Sequence, residues 1–195
     1  MNAETTVVLQ DNSANPAPLG LFAFGMTTVL LNLHNAGLFD LDSMILAMGI
    51  FYGGLAQVIA GIMEARKKNT FGFTAFISYG FFWLSLVGLL VLPKMGWAAP
   101  ITPVSLGYYL LVWGIFTTLL FFGTLAISRA LQLVFATLAL LFFLLAAGEF
   151  SGNKNIGHVA GVEGIVCGSI AIYTATANVL NEVFKKTVLP LGVKG

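Results

Sequence analysis

The side chains of this sequence that could do chemistry suit handling a small anion better than making or breaking bonds. The stretch Asn15-Pro16-Ala17-Pro18-Leu19-Gly20-Leu21 stands where a polar N-terminal tail meets the first long apolar run. Pro16 and Pro18 cannot be helix interior, because each lacks a backbone N–H and restricts the residue before it. Both suit the first turn of a helix, with Asn15 or a neighbour as cap. The expectation is an extended strut that delivers a helix N-terminus. Such an end carries free N–H groups and a partial positive charge, which suit an anion.

Other polar groups lie deep in apolar runs. Gln57 is mid-run, where an amide must find a partner in the bundle or water in a cavity. Thr74, Ser78 and Tyr79 fall near one face of their run. The two hydroxyls can bond back to their own helix, whereas the phenol wants a partner for its O–H. Asn32 reads as a C-terminal cap or an interhelical hydrogen bond. Glu64, at the end of its run beside Arg66, reads as half of an interfacial ion pair. Glu163 lies about two turns into the last run, and a carboxylate at the bilayer centre costs about 3 kcal/mol on insertion scales. It is a candidate for a solute pathway; the plainer alternatives are a protonated acid or a position near the interface.

Nothing catalytic accompanies these residues. His34 and His158 lie near run ends without ligand partners at helical spacing, so a metal site is not expected. The eight Asp and Glu are scattered, Cys167 is the single cysteine, and no cofactor motif is present. A membrane-embedded enzyme acting on a lipid or small substrate is the alternative reading from another class. It lacks the paired groups such chemistry needs.

The elements that must position these residues follow from composition. The 195 residues are 58% hydrophobic and 9% charged, with mean hydropathy +0.92; soluble domains carry about 25% charge. This is an all-α integral membrane protein. The apolar runs, roughly 19–35, 41–63, 71–92, 106–127, 130–150 and 156–184, mostly approach or exceed the ~20 residues that cross a ~30 Å hydrocarbon core. They are continuously apolar rather than alternating, which disfavours a β-barrel. The organisation is a six-transmembrane-helix bundle: a polar tail over 1–14, a six-helix transmembrane domain over 15–190 and a C-terminal tail over 191–195. Seven of the nine Lys and Arg fall on the side that holds both termini, leaving Lys94 and Lys154 opposite. Both termini are therefore expected in the cytoplasm, and the location is the cell membrane. A net charge of +1 gives no case for nucleic acid. No Lys or Arg lies deep in a run, so a permeant anion would be held by hydrogen bonds alone.

In order along the chain, several motifs resemble the acetate uptake transporter family, of the succinate–acetate permease type. They are Asn15–Leu21 with Phe24, Gly25-Met26-Thr27-Thr28, Leu31-Asn32-Leu33-His34-Asn35, Ile45–Gly54, Asn69-Thr70-Phe71-Gly72, Ser78-Tyr79-Gly80, Gly123-Thr124-Leu125, Val179–Glu182 and Thr187–Pro190. The resemblance implies passage of acetate and other short monocarboxylates, with succinate a further candidate, through each protomer of a homohexamer. It implies a constriction at Phe24, Tyr79 and Leu138, with Ala171 setting the bore of the path. A collar of that kind would strip water from the methyl end of acetate and exclude solutes by width. Without the resemblance, Phe24 and Leu138 read as ordinary bundle packing.

Overall fold

The computed structural model describes residues 13–193. It contains six helices long and apolar enough to cross a membrane: α1 Ala17–Asn35, α2 Ser43–Arg66, α3 Thr70–Val91, α4 Pro103–Thr124, α5 Arg129–Ser151 and α6 Lys154–Phe184. Among the described residues there is no strand beyond one isolated antiparallel bridge, Ser128 to Val193.

Five helices begin on a side-chain cap, as orphan N–H groups in a membrane protein require. Asp42, Asn69, Thr102, Ser128 and Asn153 accept the backbone N–H of Met44, Gly72, Ser105, Leu131 and Asn155. The first helix differs. Pro16 occupies the cap position with φ −82° and ψ −17°, and Asn15 Oδ1 accepts the Ala17 N–H at 3.1 Å. The expected extended strut is thus corrected at Pro16, where the backbone already adopts the helical region. The pyrrolidine φ is pre-set for a helix start, so the chain turns directly into α1.

Glycine sets how closely the helices meet. A Cβ at Gly25 of α1 would lie 2.7 Å from the Gly168 carbonyl oxygen of α6, and a Cβ at Gly168 would lie 2.7 Å from that of Gly25. One turn further on, Gly164 makes the notch that holds the Asn32 amide. Asn32 is buried, donates from Nδ2 to the Thr28 carbonyl at 2.9 Å and accepts from Asn35 Nδ2 at 3.0 Å. Its side-chain hydrogen bonds lie within its own helix, and the C-cap is Ala36, so Asn32 makes neither the expected C-terminal cap nor an interhelical bond but an interhelical fit.

In α2, residues Met48–Ala56 are π-wound. The apolar run gives no sign of this in sequence. A wider turn takes more residues than an α-turn, so it changes the facing of everything after it, Gln57 included. Gly53 fits against Thr27 of α1 and Trp83 of α3, and Gly49 against Val87. Where α3 faces α4 and α5, aromatic rings fill the space: Phe71–Phe135 at 5.3 Å, Phe82–Phe142 at 5.1 Å and Phe82–Trp113 at 5.2 Å.

After α6 the chain folds back across the bundle end. Asn181 Oδ1 accepts from the N–H groups of Val188 and Leu189, and Tyr173 donates to the Pro190 carbonyl. The N–H groups of Arg129 and Ala130 donate to the carbonyls of Gly192 and Leu191. At the same end Lys67 Nζ donates to the Ser13 carbonyl at 2.8 Å. Both described ends of the chain therefore share one face of the bundle with the α2–α3 and α4–α5 connections.

Candidate functional site

A cavity of about 360 Å³ opens on that shared face and runs into the bundle. At about 30 Å³ per liquid water it has room for roughly ten waters. Its walls come from α1 (Ala17, Leu21, Phe24), α2 (Gln57, Glu64), α3 (Asn69 to Tyr79), α5 (Ser128 to Leu138), α6 (Thr174, Asn178) and the returning C-terminal segment (Leu191, Val193). On α1, α3 and α5, which all start at the mouth, the deepest lining residues are Phe24, Tyr79 and Leu138. Each is buried. The rings of Phe24 and Tyr79 are 6.0 Å apart, and Phe135 meets Tyr79 edge-on at 6.0 Å.

The Tyr79 phenol donates to Thr117 Oγ1 at 2.9 Å, and Thr117 in turn donates to the Trp113 carbonyl at 2.7 Å. Thr117 belongs to α4 and not to the cavity wall. The floor of the cavity is therefore ring and methyl groups, with the hydroxyl committed elsewhere. Beyond it the interior is closed by buried Phe82, Leu110, Leu141 and Phe142. Seven residues along α5 from Leu138, about 10 Å at 1.5 Å per residue, Leu145 lines a second cavity. This one, about 280 Å³, lies at the opposite end with Asn35, Pro103, Glu149 and Lys154 in its wall. Two vestibules thus face each other across an apolar plug.

Polar capacity in the first vestibule is concentrated on α2. Gln57 is 0% exposed, and neither Oε1 nor Nε2 has a protein partner. Most other polar side chains in the wall are engaged locally: Thr174 with the Ile170 carbonyl, Asn178 with that of Thr174, Ser128 with the Leu131 N–H. Thr27 and Thr28 Oγ1 and Trp83 Nε1 are also buried without a partner, next to Gly53 or one turn beyond Phe24. Buried polar groups are paired in the great majority of cases; of these four residues, Gln57 alone lines the cavity.

Glu64 corrects an expectation. Instead of an interfacial ion pair with Arg66, whose side chain is exposed, its carboxylate is 2% exposed in the cavity wall. Asn69 Nδ2 donates to Oε2 at 2.7 Å, while Oε1 has no partner. Gly72 makes the space, since a Cβ there would lie 2.9 Å from the Glu64 carboxyl carbon. Sequence reasoning missed the position because it assigned the end of an apolar run to the interface. The cap signal Asn69-Thr70-Phe71-Gly72, which brings α3 back against α2, could have found it.

The structure brings Phe24, Tyr79, Leu138 and Gln57 into one wall. Ala171, fully exposure-free, packs in the same apolar cluster as the first three. The wall does not include Asn15, Pro16, Pro18, Gly20, Asn32, Thr74, Ser78 or Glu163. Pro16, Pro18 and Gly20 are buried, and Gly20 seats the Phe76 ring. Thr74 and Ser78 are half-buried on α3. Glu163 is half-buried on α6, with both carboxyl oxygens inaccessible and unpartnered.

A six-helix bundle with vestibules at both ends, an apolar plug between them and unpaired polar groups beside it has the build of a membrane channel or carrier. Comparison with known proteins agrees. The chain belongs to the GPR1/FUN34/yaaH family, whose model matches residues 1–192. It is 59% identical to the succinate-acetate/proton symporter SatP of Escherichia coli (strain K12), over 92% of this chain and 95% of that protein. It is 34% identical to acetate permease A of Emericella nidulans, over 91% of this chain and 65% of that one. Among solved structures, the bacterial acetate channel SatP superposes with a TM-score of 0.92 at 58% identity, covering 93% of this chain and 100% of that chain.

Proposed function

We propose that this chain passes acetate and related short monocarboxylates across the cell membrane, with succinate as a further substrate. The observation that carries this reading is the cavity wall itself: an amide with neither end paired, one helical turn beyond Gly53, above a floor made of Phe24, Tyr79 and Leu138. The names of its relatives point the same way.

A carboxylate leaving water loses several kcal/mol of solvation. Hydrogen bonds to a charged group return about 1.5–3 kcal/mol each. Gln57 Nε2 supplies a donor of that kind without a fixed cation that would trap the anion. The methyl end meets Phe24, Tyr79 and Leu138, which admit a slim apolar group and exclude wider ones. Ala171, on the α6 face behind this collar, keeps the bore open by being small. Asn15, Pro16, Pro18 and Gly20 act by anchoring and angling α1, which carries Phe24. Opening the plug from Leu138 to Phe142 requires the rings of Phe82 and Phe142 to part.

The protomer works in a homohexamer within the lipid bilayer, with the N- and C-termini cytoplasmic, where most of the Lys and Arg lie. The deciding measurement is exchange of labelled acetate into proteoliposomes at neutral pH, with protein-free vesicles giving the leak of free acid through lipid. Exchange above that of protein-free vesicles, lost on Ala171→Phe, is the expected result. Equal rates with and without the protein would sink the reading.

A further inference from the structure

We propose that Glu64 is the proton-bearing group of this pathway, taking one proton for each carboxylate that occupies the vestibule. The inference rests on the acetate reading above and deepens it. Glu64 is the one carboxylate among the described residues lining the cavity, and its wall contains no Lys, Arg or His. Oε2 is held by Asn69 Nδ2, and Asn69 Oδ1 accepts the Gly72 N–H at 3.0 Å, so the side chain is fixed by the cap of α3. Oε1 is left buried and unpartnered in the same wall.

Two carboxylates in one enclosed space repel each other. At the effective dielectric of protein sites, like charges about 4 Å apart disfavour joint occupancy about a thousandfold. A shared proton removes that penalty, as in carboxyl pairs generally. The step balances without any further reactant. When a solute arrives as the free acid, its O–H bond breaks, an Oε1–H bond forms on Glu64, and the solute leaves toward the mouth as the anion. Glu64 then releases its proton to water at the mouth. Run backwards, the same step loads the anion and its proton from that side.

The neighbours leave this role to Glu64. On its own helix Arg66 is exposed, and Lys67, the cation whose charge acts on the Glu64 carboxylate, holds its Nζ on the Ser13 carbonyl at 2.8 Å rather than on the carboxylate. Across the cavity α1 presents Ala17 and Leu21, α6 presents Thr174 and Asn178, and the C-terminal segment presents Leu191 and Val193. From α3 the titratable lining residue is Tyr79, whose hydroxyl is engaged by Thr117. Lys68, at the start of the α3 connection, is exposed. Glu163, the other acid with buried unpartnered oxygens among the described residues, lies outside the cavity wall.

The test is calorimetric titration of the full-length protein in detergent with acetate, in buffers of differing ionisation heat, which counts protons bound per acetate. The wild type is expected to take up about one proton per acetate at neutral pH, and Glu64→Gln to bind acetate with none. Uptake persisting in Glu64→Gln would place the proton on the solute or elsewhere and overturn the proposal. Acetate binding without proton uptake in the wild type would overturn it as well. No acetate heat at all in the wild type would instead overturn the transport reading and this inference with it. Should Glu64→Gln fail to fold, Asn69→Ser keeps a cap oxygen but removes the amide N–H from Oε2. The midpoint of proton uptake should then rise by about one pH unit, the worth of one charge-assisted hydrogen bond; an unmoved midpoint would be decisive against the role.

Discussion

Gln57 is buried with neither amide atom paired, which in the proposed role sets function against stability. A buried amide with no partner costs about 1–3 kcal/mol, and replacing it by an apolar group of similar shape relieves that cost. Gln57→Leu should therefore raise the thermal unfolding midpoint in detergent while weakening acetate binding about tenfold, the value of one hydrogen bond to a charged group. A lowered midpoint would mean the amide has a structural partner. Leu138 works in the opposite sense, because it is 3% exposed and well packed. Leu138→Ala should cost about 2–5 kcal/mol of stability and widen selectivity from acetate toward lactate. Unchanged discrimination in competition assays would remove Leu138 from the proposed collar.

At the scale of helices, the bundle is held by two kinds of contact with different tolerances. The α1–α6 seam is backbone against backbone, so a side chain at Gly168 has nowhere to go. Gly168→Val should lower the unfolding midpoint markedly, in line with overpacking costs of about 1–3 kcal/mol or more. By contrast, Gly157 in the same helix has nothing within 4 Å of an added Cβ. There Gly157→Ala should gain up to about 1 kcal/mol from helix propensity alone. If the two variants behave alike, close approach is not what the glycines provide. The aromatic contacts of α3 with α4 and α5 are of the second kind. Rings can change rotamer where glycine backbones cannot separate, which makes this the seam at which the plug would open.

The whole molecule keeps its apolar surface outside and its polar groups in. Val112, Ile115, Leu119 and Phe122 along α4 are exposed, as suits a wall facing lipid or a second protomer. Native mass spectrometry from mild detergent should show six copies, and a monomer under conditions that retain acetate exchange would argue against assembly being needed. Reporter fusions at either terminus should place both in the cytoplasm, on the side the first vestibule faces. One reporter on each side would contradict the helix count as well as the charge rule.

Sequence alone was enough for class, helix number and rough span ends, because those depend on local hydropathy and on length against bilayer thickness. The collar residues Phe24, Tyr79 and Leu138 were proposed through resemblance rather than through spacing: they are far apart in the chain, and Phe24 and Leu138 read singly as packing. What needed the tertiary structure was facing. Whether Glu64 meets water, an arginine or a cavity depends on how α3 returns against α2, on the space left at Gly72, and on the π-wound stretch over Met48–Ala56 that turns the rest of α2. Likewise Asn32 and Glu163, equally suggestive polar residues in sequence, end up in a glycine notch and outside the vestibule wall. Hydropathy is a sum over neighbours in sequence, while a site is a meeting of side chains from separate helices. Only the packing of those helices decides which polar groups meet.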